Sequence, residues 1–307
     1  KARSIGLDQE FVSMDEVIEK HPLVDPKHYV AALWDPTDGD LDPSGVVYAY
    51  AKSARVHGAE FFTHTPVLDT NQRADGSWDV VTEKGNIHAE YIVNAGGLWA
   101  REVGRMANIH LPVVPMEHHY LITEEIEQIA NLPEGHRLPH CIDFDANIYL
   151  RQENTGMLLG TYEPRSTPWS LDGTPQNFGH DLLDPKLDHI ADRLELAFER
   201  IPALGTAGIK NIINGPFVFS PDGNPMIGPV PGVKNYWVAV GVMAGFSQAG
   251  GVGRSLSEWM IEGEPSIDVW AMDIARFGSF ATPQWGVIKS SENYERRFVM
   301  TFPNETL

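Results

Sequence analysis

Residues 116–120 read Met-Glu-His-His-Tyr, which sets two imidazoles and a phenol side by side in the chain. If this run is a strand, His118 and Tyr120 share one side and His119 takes the other, because side chains alternate. A histidine with a neighbouring phenol can move a proton near neutral pH. The same pattern also suits a satisfied, half-buried histidine in a sheet. Neighbouring positions on opposite sides cannot bind one metal ion, and His140 beside Cys141 offers no better set, so no metal is expected.

Glycines form the second chemical feature. The stretch "EYIVNAGGLWAREVG" at 90–104 runs from an apolar strand through Gly96-Gly97 into a helix. Such a turn lets the backbone approach a ligand and aims free helix N–H groups at it, yet it is equally an ordinary strand-to-helix turn. It lacks GxGxxG spacing and so does not by itself identify a nucleotide. Gly241, Gly245, Gly250, Gly251 and Gly253 again join an apolar strand to a helix, where the helix N-terminus favours negative charge. No GxSxG elbow or Walker motif supports a serine hydrolase or a P-loop enzyme. Asp38, Asp40 and Asp42 resemble half a calcium loop but lack the downstream glutamate, which leaves a polar turn.

These groups need a scaffold, and local signals outline one. Ser13 and Glu16 have capping-box spacing for a helix over 14–20. Asp42-Pro43 opens a second helix that Gly58 closes, and "EFFTH" (60–64) reads as a strand after it. "PVLDT", "SWDVVTE" and "NIHAEYIVNA" read as an antiparallel meander, and "VVPMEHHYLITE", "ANIYLRQE" and "GMLLGTYE" as a sheet with one covered face. A helix is expected from Asp184 to Pro202, with Leu187, Ile190, Leu194, Ala197, Phe198 and Ile201 on one stripe. "YWVAVGV" reads as a buried strand and "GGVGRSLSEWMIEG" as a final helix, while the last forty or so residues show weak periodicity.

With 307 residues, 42% hydrophobic and 21% charged, the chain can bury a core as one large domain or two ordinary ones. A formal charge of −19 argues against nucleic acid and anionic membrane surfaces as partners. No apolar stretch reaches the ~18 to 20 residues of a membrane span. The single cysteine, Cys141, excludes an internal disulfide and fits a reducing compartment.

Taken in order, "TDGDLDPSGVVYAYAKSARVHGAEF", "VNAGGLWAREVGRMANIHLPVVPMEHHYLITE", "IYLRQENTGMLLGTYE" and "INGPFVFSPDGNPMIGPVPGVKNYWVAVGVMAGFSQAGGVG" resemble the dimethylglycine dehydrogenase and sarcosine dehydrogenase family. The resemblance runs over nearly the whole chain. It implies a mixed α+β and α/β fold of the D-amino-acid oxidase type, in which an incomplete Rossmann-like FAD-binding subdomain is interleaved with an antiparallel-sheet substrate subdomain. The expected division gives 1–42 and 111–215 to the substrate subdomain, 43–110 and 216–265 to the FAD-binding subdomain, and 266–307 to a linker toward a further domain. By the same resemblance Ala95, Gly96, Gly97 and Trp99 lie against FAD, and Val67 approaches the adenine side through its backbone. Gly241, Gly245, Gln248 and Gly250 border the flavin ring, and His118 and Tyr120 match the family's "HQY" stretch as catalytic candidates.

The implied reaction is oxidative demethylation of a small N-methylated amino acid, dimethylglycine first and sarcosine next. Tetrahydrofolate is implied as an acceptor of the one-carbon unit through a domain beyond this chain. Electron-transfer flavoprotein or oxygen is implied as the electron acceptor. The family's GxGxxG segment and flavin-linking histidine precede the residues seen here, so an internal fragment is expected, with the rest of the longer chain as a partner. The compartment follows the source, cytoplasm in a bacterium or mitochondrial matrix in a eukaryote. A non-catalytic alternative exists, because the regulatory subunit of pyruvate dehydrogenase phosphatase resembles the same family.

Overall fold

The computed structural model describes residues 4, 6–179 and 181–297. In chain order the elements are β1 (Glu10–Val12), α1 (Met14–Lys20), β2 (Ala32–Trp34), α2 (Pro43–Val56), β3 (Val67–Gln72), β4 (Trp78–Thr82), β5 (Gly85–Ala89), β6 (Ile92–Asn94) and α3 (Ala100–Met106). They continue with β7 (Val114–Thr123), α4 (Glu127–Ala130), β8 (Cys141–Asp143), β9 (Ile148–Glu153), β10 (Gly156–Thr161), α5 (Ala191–Arg200) and β11 (Ile209–Phe219). Last come β12 (Met226–Pro229), β13 (Tyr236–Val240), α6 (Gly245–Glu262) and α7 (Pro283–Arg296).

The caps act as their residue types require. Ser13 and Glu16 close a reciprocal capping box on α1, and the Asp42 carboxylate accepts from the N–H groups of Ser44 and Gly45 at the start of α2. The meander β3-β4-β5 is antiparallel. "NIHAEYIVNA", however, is two strands rather than one. The chain leaves β5 at Ala89, and β6 joins another sheet, where Ile92 to Asn94 run parallel to Tyr236 to Val238 of β13. "EFFTH" forms no strand, because no described strand lies beside Glu60–His64 to take its hydrogen bonds, and Phe61 and Phe62 stay exposed.

The largest sheet has the order β11-β7-β10-β9-β8, all antiparallel. Its first face buries Leu121, Ile148, Leu150, Met157 and Leu159 against Ile190, Leu194, Ala197 and Ile201 around α5. The helix expected from Asp184 begins only at Ala191, after a 3₁₀ turn over Leu187–His189. A second core, with Trp78, Ala100, Leu111, Met226, Tyr236 and Val238, sits around the β12-β13-β6 sheet.

Two further expectations need correction. The final helix, read from Gly250, begins five residues earlier at Gly245, so the turn between β13 and α6 spans only 241–244. The weakly periodic tail contains α7, capped by Thr282 and Pro283, with Gly286, Ser290 and Tyr294 buried on one stripe. Tyr294 packs with Val114, Met116 and Phe219 on the second face of the large sheet, so α7 covers that face at the end where β7 begins.

Candidate functional site

Register decides which side chains meet on this second face. Tyr120 pairs with Gly160 of β10, and Gly160 pairs with Tyr149 of β9, while His118 lies opposite Gly215 of β11. Gly160 is what allows the aromatic side chains to close up. A Cβ built there would sit 1.8 Å from Cζ of Tyr149, so the phenol ring occupies the space that any other residue would fill. The Tyr149 ring stacks on His118 at 6.2 Å between centroids, and its hydroxyl lies 3.2 Å from His118 Nε2. Phe217 flanks the imidazole at 5.4 Å.

The other nitrogen of His118 faces a buried carboxylate. Glu163, just beyond β10 and 3% exposed, places Oε2 at 3.1 Å from His118 Nδ1. Its Oε1 accepts the backbone N–H of His119 at 2.9 Å and lies 3.2 Å from His119 Nδ1. The Tyr294 hydroxyl bonds to Glu163 Oε2, and Arg297 Nη2 stands 3.6 Å from the same oxygen. Burial alone would raise the carboxyl's pKa. Hydrogen bonds from His118 and His119, then the charge interaction with His118 and the Tyr294 hydroxyl, outweigh burial and hold it well below the usual carboxylate range. Burial pushes the Tyr149 and Tyr294 phenols up, with the nearby Glu163 charge adding to it, so both carry their protons at neutral pH. A protonated phenol, an imidazole and a fixed anion in one line can pass a proton inward from the open face.

Tyr120 stands on the same face as His118, two residues along β7, but the two do not hydrogen-bond to each other, and the phenol that reaches the imidazole is Tyr149. Tyr149, Glu163 and Tyr294 are the site residues that sequence reasoning missed. For Tyr149 a signal existed, since alternation in "ANIYLRQE" sets it opposite the buried Ile148 and Leu150. No local pattern marks Glu163 or Tyr294, which arrive from 45 and 176 residues downstream of His118.

The two glycine segments come together because β6 and β13 are parallel neighbours whose C-terminal ends lie side by side. Ala95, Gly96, Gly97 and Trp99 follow one strand end; Gly241, Gly245, Gln248 and Gly250 follow the other. Gly96 is explained by its own turn, since Asn94 Oδ1 accepts its N–H at 3.0 Å and a Cβ would press on Ala100 at 3.2 Å. Gly97, at φ +53°, looks onto open space, and Trp99 hydrogen-bonds away to the Pro175 carbonyl. Gly241, at φ +65°, abuts Val113 and Ser220, where β7 starts and β11 ends. Val67 opens β3 in the meander, and β3 packs against α3, the helix that follows Gly96 and Gly97.

These residues fit a dinucleotide. The crevice beyond the carboxyl ends of parallel strands is where such ligands bind. The first turn of α6 has no side-chain cap, and Gln248 Oε1 is buried there without a partner among the described residues. His118 lies four residues into β7 from Val114, roughly 13 Å along the strand at about 3.3 Å per residue. One elongated ligand can therefore reach both places.

A family model described as FAD dependent oxidoreductase matches residues 1–259, and one described as FAD dependent oxidoreductase central domain matches 262–307. Mitochondrial dimethylglycine dehydrogenase of Mus musculus is 40% identical over 303 residues, which are 97% of this chain and 35% of that protein. Mitochondrial sarcosine dehydrogenase of Mus musculus is 31% identical over 311 residues, 99% of this chain and 33% of that protein. The crystal structure of L-proline dehydrogenase from P. horikoshii superposes with a TM-score of 0.75 at 28% identity, covering 90% of this chain and 70% of that one. The chain thus spans about a third of the length of the curated relatives it matches.

Proposed function

Since the chain belongs to the FAD dependent oxidoreductase family, we propose that it forms the substrate face and part of the flavin site of an enzyme that oxidatively demethylates a small N-methylated amino acid. The observation that carries this reading is the phenol–imidazole pair of Tyr149 and His118, set half-buried on the second face of the five-stranded sheet. Dimethylglycine and sarcosine are the preferred substrates, from the two dehydrogenases to which the chain is similar.

At neutral pH such an amine is an ammonium, which has no lone pair to stabilise the electron-poor carbon that forms as hydride leaves an N-methyl group. FAD, when bound, supplies the acceptor for that hydride. The chain's own part is to remove the ammonium proton: Tyr149 Oη accepts it while the phenolic hydrogen moves to His118 Nε2. Water then splits the oxidised N-methyl group into the demethylated amine and formaldehyde, or tetrahydrofolate held elsewhere in the polypeptide takes the carbon. Electron-transfer flavoprotein or oxygen would serve as the final electron acceptor.

In this reading Val67, Ala95, Gly96, Gly97, Trp99, Gly241, Gly245, Gln248 and Gly250 hold the dinucleotide, with 43–110 and 216–265 as the flavin part and 1–42 and 111–215 as the substrate part. The test is spectroscopic. The purified protein should be yellow, and its flavin absorbance should bleach without oxygen on adding dimethylglycine or sarcosine. A protein that stays colourless, or whose flavin ignores every N-methylated amino acid, would instead favour a non-catalytic regulatory subunit.

A further inference from the structure

Taking His118 as the proton acceptor, a step that rests on the function proposed above, we infer that Glu163 is its positioning residue. The carboxylate fixes the imidazole with its hydrogen on Nδ1 and leaves Nε2 as the acceptor that faces Tyr149. Tyr294, on α7, in turn locks the carboxylate.

The hydrogen-bond donors around the ring fix this arrangement. An ionised carboxylate offers only lone pairs, so a ring nitrogen 3.1 Å from Oε2 must present a hydrogen to it. The other neighbour of Nδ1 is Tyr294 Oη at 3.3 Å, whose single hydrogen is directed to Glu163 Oε2 or to the Glu117 carbonyl at 3.0 Å. Both neighbours therefore accept, and Nδ1 is the donor. In a neutral imidazole Nε2 is then left with its lone pair, and the Tyr149 hydroxyl is the group that can donate to it. His119 obeys the same rule: its Nδ1 faces Glu163 Oε1 and its Nε2 accepts the Lys186 N–H at 3.4 Å.

Several titratable or charged groups surround the ring: Tyr149 on β9, Glu163 and Tyr162 after β10, and Tyr294 and Arg297 at the end of α7. Of these, only Glu163 and Tyr294 touch Nδ1. Without the carboxylate, either tautomer could form, and the one with hydrogen on Nε2 cannot accept a proton from Tyr149.

Long-range ¹H–¹⁵N spectra of uniformly ¹⁵N-labelled protein report the tautomer of each histidine, and the signals lost in His118→Asn identify this one. His118 should appear as the Nδ1–H form. In Glu163→Gln the ring should become a mixture of forms, and the flavin-reduction rate should fall by about 10²-fold with unchanged flavin content. An Nε2–H or mixed His118 in the unaltered protein would overturn the inference, as would a Glu163→Gln protein with the parent's tautomer and rate. If Glu163→Gln does not fold, the parent spectrum alone decides. The ring measurement needs no turnover, so a protein inert to N-methylated amino acids would refute the proposed function and leave the tautomer result to stand by itself.

Discussion

His118 meets a phenol on one ring nitrogen and a carboxylate on the other, and this asymmetry sorts the candidate side chains. Tyr149→Phe and His118→Ala should each slow flavin reduction by roughly 10²- to 10⁴-fold, the scale of lost acid–base assistance, while flavin content stays the same. Tyr120→Phe should leave the rate near the parent's, which stopped-flow measurement of all three variants would check. A second histidine makes a stability prediction. His21, 1% exposed at the end of α1, has no partner on either ring nitrogen among the described residues, and burial lowers its pKa from 6.5 to about 4. Between those values the unfolded chain binds the proton and the folded chain does not, so protonation favours unfolding. Stability should therefore fall as pH drops from 6.5 toward 4, by about 3 kcal/mol at most, at 1.36 kcal/mol per unit. His21→Phe should flatten this limb, and denaturant midpoints of both proteins at pH 7 and pH 5 would test it.

At the scale of elements, the pairing of β9 with β10 sets the distance between Tyr149 and His118. Gly160→Ala would drive a methyl group into the Tyr149 ring, at a cost of about 1 to 3 kcal/mol for overpacking, and would push the hydroxyl off His118. The variant should melt earlier and reduce its flavin as slowly as Tyr149→Phe; a parent-like rate would show that the ring can relax without leaving the imidazole. Elements defined by neighbouring residues were legible in the sequence: the Ser13–Glu16 box, the Asp42-Pro43 start and the alternation along β7 and β9 each act within one or two turns of chain. Elements defined by distant partners were not. The break between β5 and β6 depends on β13, some 140 positions away, and the eleven residues of β11 look broken by Gly215 and Pro216 until β7 pairs with them. The first half of the site, His118, was visible as a residue type, whereas Glu163 and Tyr294 acquire meaning only from the packing of α7.

Across the whole molecule the sheets differ in how well they are covered. The five-stranded sheet has α5 on one face and α7 over part of the other. The β12-β13-β6 sheet ends at β6 with no described strand beyond it, and α2 has no buried residue and turns Val47, Tyr48 and Tyr50 to solvent. Open strand edges and apolar faces of this kind attract further chain. The 307-residue chain by itself should therefore self-associate with rising concentration in sedimentation velocity, and replacing Tyr48 and Val47 by lysine should weaken this; a monomer at every concentration would contradict it. Tyr294 also arrives late in synthesis. It lies 131 residues after the carboxylate it locks. At about 5 to 20 residues per second, a ribosome needs on the order of 10 s to travel that far. Throughout that interval a nascent chain can hold His118, Tyr149 and Glu163 and still lack the clasp that orders them, so the site is assembled late, after the sheet that bears it has left the ribosome.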